Sequence, residues 1–343
     1  MDKKVSNEEE IYNNPINIRF LKTLLKLSCS NIHYFNFNNL FCVFKSIKDI
    51  IILICHNKQK SIISFDIINN QKLNEIKNAH LYYIINLIHF FDKINKRDLI
   101  LSLSGKKFDI KVWDNNNFEC ILNIRKSFIN FISYSACFLS HNNNNYISFC
   151  IYNGSNSYES IKVFDFNGTK TKTINDSKDP AYFIDNYFDV KLSKNYIFTG
   201  NKGYVKSYDF NENKIYHKYF DKDYFESCLS AEINDSEKET KLIVPCNDDI
   251  IRIWNFHERT LLKKIKILNG FLSSFCLWNK EYLFINCKDF GIKLINLEKG
   301  KVVKILQHKN EVFYSLKKIK DSKYGEFLIS LDSNGIKIWG NLI

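Results

Sequence analysis

The sequence predicts an all-β fold in which one four-stranded unit recurs seven times. Three observations carry this expectation. The first is composition: only four alanines (Ala79, Ala136, Ala181, Ala231) and three prolines (Pro15, Pro180, Pro245) occur in 343 residues rich in Ile, Phe, Tyr and Val. That balance favours strands over helices. The second is a five-residue pattern recurring in phase: IISFD (62–66), IKVWD (110–114), IKVFD (161–165), VKSYD (205–209), IRIWN (251–255), IKLIN (292–296) and IKIWG (336–340). The third is its period, 41 to 51 residues between successive fifth positions. A unit of that length holds four short strands and must stack on its neighbours to bury both faces of its sheet.

Each column of the pattern has a physical meaning. The first position is Ile or Val throughout, a stiff β-branched residue suited to a pleated surface. The second is basic in every copy except Ile63, and the fourth is aromatic in every copy except Ile295: Phe65, Trp113, Phe164, Tyr208, Trp254 and Trp339. Second and fourth positions share a strand face, so a Lys or Arg stem there can lie along the ring and carry its head to water. The fifth position is Asp66, Asp114, Asp165, Asp209, Asn255 or Asn296, with Gly340 in the last copy.

Taken in chain order, residues 1–14 read as a flexible acidic tail and residues 15–343 as a single domain. The segment IRFLKTLLKLS (18–28) precedes the first unit, which opens near His33. Lys22 and Lys26 interrupt its apolar run as an edge strand would, although Leu21, Leu24, Leu25 and Ser28 also fit a helical stripe. Before each anchor comes a strand and a tight polar turn, as in YIFTGNKG, KLIVPCNDD, YLFINCKDFG and FLISLDSNG, the last with an Asn334-Gly335 hairpin signal. After each anchor a turn leads into a fourth strand such as FECILNI, RTLLKKIKI or KVVKIL. Only Asn341, Leu342 and Ile343 follow the last anchor, so its outer strand is expected from the segment 18–28. The run HNNNNY (141–146) reads as a loose hairpin loop, and NEEE and NDSEKE as solvated carboxylate runs.

These anchors resemble the WD-repeat family of seven-bladed β-propellers. The Trp-Asp ending is intact at Trp113-Asp114, and Ala79-His80 and Gln307-His308 stand where the family's Gly-His opening belongs. The resemblance implies a β-propeller whose N-terminal strand closes the last blade. It also implies a buried hydrogen-bonded set of Asp, His, Ser or Thr and Trp that braces each blade. The last repeat fits with His308, Ser330, Asp332 and Trp339, Asp332 falling one residue early; the second keeps His80, Ser102 and Trp113 with Lys107 near the turn position; the fifth keeps Asp248 and Trp254. The role implied is structural, so His308, Ser330 and Asp332 are not expected to form a catalytic triad.

The expected function is a non-enzymatic protein–protein interaction scaffold that presents one propeller face to protein or peptide partners in an intracellular complex. Function resides on loops. Those opening each first strand and those joining second to third strands should share a face, with Phe108, Phe290, Tyr224 and Phe225 as aromatic anchors. Lys106, Lys107, Lys202 and Lys288 tint that face basic and favour an acidic peptide. The alternative is a peripheral membrane propeller that binds phosphoinositides, but no two arginines are adjacent and LLKKIKI offers only lysines.

The net charge of +12 comes from 44 lysines and five arginines, whereas phosphate and base recognition favours clustered Arg. No nucleic-acid partner is therefore expected. The ten cysteines form no C-x-x-C pair and sit mostly in apolar runs, as buried reduced thiols would. No metal or cofactor is expected, and no phosphate loop or nucleophile elbow is present. The charged first ten residues lack a secretory pattern. A cytoplasmic, monomeric propeller within a larger complex, without membrane contact, is the expectation.

Overall fold

Because successive side chains of a strand point to opposite sides, an apolar run such as IILIC supplies two neighbours at once. Leu53 packs with Phe327, Ile329 and Ile338 of the last unit, while Ile52 and Ile54 pack with Ile84, Ile100 and Trp113 of the second. The same division repeats around the molecule, giving one apolar cluster at each of the seven seams between consecutive units. The cluster joining the first unit to the last makes the array a ring. The computed structural model describes residues 19–25, 40–56, 60–105, 109–125, 131–132, 135–153, 157–175, 181–223, 228–267, 272–287, 291–306, 313–332 and 335–340. It is a seven-bladed β-propeller, with no helix among the described residues.

Blades 1 to 6 occupy residues 42–76, 84–125, 131–175, 183–220, 232–266 and 272–306, and each is a meander with its strands in sequence order. The inner strand of blade 3 is divided into Phe131–Ile132 and Ala136–His141, both paired with Asn144–Asn153. Blade 7 is completed from a distance. Its three later strands, Phe313–Asp321, Gly325–Asp332 and Gly335–Gly340, are joined by Arg19–Leu25, which pairs antiparallel with Gly335–Gly340 from Arg19↔Gly340 to Leu25↔Ile336. Within the segment 18–28, the described residues Arg19–Leu25 are thus a closing strand and not a helix; pairing along the open edge of Gly335–Gly340 outweighs their helical spacing. The tail 1–14 lies outside the described residues. No described helix is long and apolar enough to cross a membrane.

The anchor motifs form the third strand of each blade, buried along nearly their whole length because blades cover both faces. This changes the reading of the basic column. Lys206, Arg252, Lys293 and Lys337 are buried, and their heads do not run to water. Arg252 is held by Asp221 at 2.7 Å and Asp248 at 2.7 Å, and Lys337 by Asp332 at 2.9 Å. Lys111 fits the expected pattern in part: it lies over the Trp113 ring at 5.4 Å, yet its ammonium donates to the Ala79 carbonyl at 2.5 Å.

The fifth column is a turn cap. Asp66 Oδ1 accepts the Ile68 and Asn69 amides at 2.9 and 3.0 Å, and Asp209 Oδ1 those of Asn211 and Glu212 at 2.9 and 3.0 Å. Asp114, Asp165, Asn255 and Asn296 do the same to the amides that follow them. An Asx side chain can satisfy backbone donors two and three residues on, which is why Asp or Asn recurs there.

Candidate functional site

The blade-bracing residues come together in blade 2. His80 Nδ1 meets Asp109 Oδ2 at 3.0 Å, His80 Nε2 meets Ser102 Oγ at 2.7 Å, and the Trp113 indole donates to the same Oγ at 2.8 Å. All four side chains are buried. Burial works against the Asp109 carboxylate, but the His80 contact, with Lys111 and Arg125 nearby, outweighs it and holds its pKa below the usual range. Asp109 therefore fills the place that the sequence reading gave to Lys107, and blade 2 carries the full set. Blade 7 keeps the bond from Trp339 to Ser330 at 2.8 Å. Its Asp332 instead binds Lys337 and accepts the Gly335 amide at 3.0 Å, and His308 lies outside the described residues. In blade 4 the hydroxyl groups of Thr199 and Tyr208 meet at 3.4 Å, and in blade 5 the Asp248 carboxylate pairs with Arg252. Phe65, Phe164, Trp254 and Ile295 are buried in their seams.

Strand order divides the connections between two faces. One face holds the loops between blades and the turns joining second to third strands; Gly105 donates to the Tyr83 carbonyl there at 2.9 Å, and Cys228 to that of Asn201 at 3.1 Å. Of the residues expected to form the partner face, Lys202 sits exposed in the blade 4 turn. Phe108, Phe290, Tyr224, Phe225, Lys106, Lys107 and Lys288 lie outside the described residues. Leu81 and Tyr83 are exposed on this face and had not been singled out.

The larger described cavity, about 1030 Å³, opens on the other face, among the turns that join first to second strands in blades 2, 3 and 4. Its wall in blade 3 is the hairpin His141–Asn142–Asn143–Asn144. Asn142 and Asn143 are left-handed, with φ of 48° and 57°, and His141 pairs with Asn144 across a two-residue turn. This is the turn type that Asn favours. Asn145 ties the hairpin to blade 2 through Asp92 Oδ1 at 2.8 Å, and Ser140 Oγ donates to Asn145 Oδ1 at 2.8 Å. The HNNNNY run is accordingly a tight, bonded turn and not a loose loop.

Aromatic rings build the interior of the cavity. Phe90 and Phe138 stack with centroids 4.8 Å apart, and Phe210 meets His141 edge-on at 5.2 Å. Lys172 lies over the Phe210 ring at 4.2 Å and donates to the Phe210 carbonyl. Burial lowers the pKa of Lys172 against the pull of Asp209; burial and then the Lys172 charge lower that of His141. Asn195 donates to His141 Nδ1 at 3.1 Å. At the rim Phe91, Ile94 and Phe188 are exposed, with 38, 54 and 48% of their surface in solvent; Val190 and Leu192 protrude from the same turn as Phe188. The sequence carried a signal for these residues: FDKINKRDLI (91–100) and FDVKLSKNYI (188–197) place a Phe-Asp pair and further apolar residues in phase in two blades.

A smaller cavity of about 270 Å³ lies in the central channel, lined by Ser135 of blade 3, by inner-strand residues of blades 4 to 7 and by the residues leading into blade 5. Glu232 accepts the Leu277 amide at 2.9 Å, and burial raises its pKa to about 7 against that bond and the Lys317 charge. Asp185 has surface open to the channel, yet the protein mass around it withholds bulk water and raises its pKa too. Among the described residues no group of three His, Cys, Asp or Glu side chains could hold a metal ion.

No protein-family model matches the chain, and no curated protein matches it significantly. The architecture carries the assignment alone: this chain is a seven-bladed β-propeller with a cavity of about 1030 Å³ open between the turns of blades 2, 3 and 4.

Proposed function

We propose that this propeller is a non-enzymatic interaction scaffold of the WD-repeat type, which seats a protein or peptide partner over the cavity between blades 2, 3 and 4. The observation that carries the reading is the exposed apolar rim, Phe91, Ile94 and Phe188, around a cavity lined by aromatic rings together with amide and basic side chains. Large exposed rings and aliphatic groups beside a preformed depression are what hot-spot contacts need. The Asp109–His80–Ser102–Trp113 set supports the WD-repeat membership, because it reproduces the bracing the resemblance implies. The reading places the scaffold in the cytoplasm, as one subunit of a larger complex.

The test is comparative cross-linking and affinity capture with the wild-type chain and a Phe91→Ser/Phe188→Ser double variant. Both side chains are substantially exposed, so the variant should keep its thermal stability. Partners recovered by the wild type should be lost from the variant. An identical set of partners from both proteins would remove this face as the docking site.

A second reading has its own observation. The outer strands of blades 4 to 6 expose Ile215, Phe220, Leu262, Val302 and Ile305 next to Lys218, Lys266 and Lys301, an apolar and basic mixture suited to an anionic membrane surface. Sedimentation with phosphoinositide vesicles tests it; equal recovery with neutral and anionic vesicles would rule it out.

A further inference from the structure

The polar lining of the blade 2–4 cavity is unevenly charged. Its basic side chains are His89, Lys93, His141 and Lys172, against a single carboxylate, Asp185; Cys137 and Tyr146 also line it. The other carboxylates nearby are engaged behind the wall. Asp92 is held by Arg97 at 3.1 Å and by Asn145, Asp98 by His89 at 2.8 Å, and Asp209 by Lys194 at 2.9 Å. We infer that the segment seated in this cavity is an acidic, apolar peptide, whose carboxylate lies against Lys172 and His141 while its apolar side chains cover Phe91, Ile94 and Phe188. This inference rests on the scaffold reading above and names the chemistry of its partner.

Four features support it. Lys172 has three N–H donors, and the Phe210 carbonyl takes one of them. Its desolvation, which already lowers its pKa, leaves a positive charge that an incoming carboxylate would neutralise. The amide donated by Asn195 occupies His141 Nδ1, so neutral His141 carries its proton on Nε2 as a second donor. Exposed Asn142, Asn143 and Asn211 add amide donors and acceptors around the cavity, suited to the backbone of an extended peptide. Charge and apolar surface therefore lie side by side in the arrangement that an acidic segment with bulky apolar residues would complement.

The experiment selects short peptides from a displayed random library on the full chain, then measures the chosen peptides by fluorescence polarisation. Selected sequences should combine Asp or Glu with Leu, Ile or Phe. Lys172→Gln should weaken them about tenfold or more, the loss expected for one charge-assisted contact. Replacing the peptide's acid by its amide should have a similar effect on the unaltered protein, and Phe188→Ser, whose side chain is exposed, should also weaken binding without a change in Tm.

Selected peptides that are basic or uncharged and indifferent to Lys172→Gln would overturn the inference. If such peptides still required Phe188, the scaffold reading would survive without its acidic partner. Peptides independent of both Phe91 and Phe188, or no selection at all, would remove both. Phosphatidylserine vesicles that bind the wild type but not the Lys172→Gln variant would reassign the cavity to a lipid headgroup and overturn the peptide.

Discussion

His80 is braced from two sides, by Asp109 at one ring nitrogen and by Ser102 at the other, and Ser102 in turn receives the Trp113 indole. Removing the imidazole leaves a buried carboxylate and hydroxyl without it, and unsatisfied buried groups cost more than the bond itself returns. His80→Leu is therefore expected to destabilise the protein by about 2–3 kcal/mol, a Tm loss of several degrees for a chain of this size. Calorimetry checks this, and a Tm within a degree of wild type would show that the set carries no structural weight. The sequence made His80, Ser102 and Trp113 legible but not Asp109. Asp109 stands two positions nearer the anchor than Lys107, at the first residue of the third strand, and only the fold shows which carboxylate reaches the ring. Lys337 illustrates the opposite error. Read as a stem with a solvated head, it is buried on a strand covered from both sides, where desolvation lowers its pKa to about 8 and Asp332 is its counter-charge.

At the scale of the element, the blade 3 hairpin is the part most easily misjudged. A run of four asparagines reads as compositional drift, yet two of them take the left-handed conformation that a two-residue turn requires. Asn143→Val should cost about 1–2 kcal/mol, because a β-branched residue is strained at positive φ. Asn143→Gly should be neutral. Chemical denaturation measures both, and equal stabilities for the Val and Gly variants would mean that the turn does not need this geometry. The lysines have a similar lesson. Lys191 donates to the Ser236 carbonyl at 2.9 Å and Lys263 to that of Leu297 at 3.2 Å, while Lys60 and Lys172 reach Leu81 and Phe210, each from one blade to the next. Part of the basic excess that reads as solubilising is thus spent on the seams. Nothing in a single sequence shows which blade a lysine will face, so strand positions were legible and these cross-links were not.

For the whole molecule, the number of blades and the closure were legible because both depend on periodicity and on an unpaired strand at each end of the pattern. The position of the cavity between blades 2, 3 and 4 was not, because a cavity arises from how three neighbouring turns sit together and no local motif records that. Closure carries its own prediction. Deleting residues 1–28 removes the partner of Gly335–Gly340 and should lower Tm and promote concentration-dependent association through the bared edge. Light scattering alongside a thermal melt tests it; a monodisperse protein with an unchanged melt would contradict it. The same strand also sets a timetable. Arg19–Leu25 is synthesised about three hundred residues ahead of Gly335–Gly340, which at ribosomal speed is a wait of roughly 15 to 60 s. During that interval the nascent chain holds an apolar strand with nowhere to dock. Blades 1 to 6 can meanwhile form, but the two terminal blades stay open to solvent along one flank. Chaperone occupancy should therefore follow the N-terminal strand through translation and fall only once the final anchor has emerged.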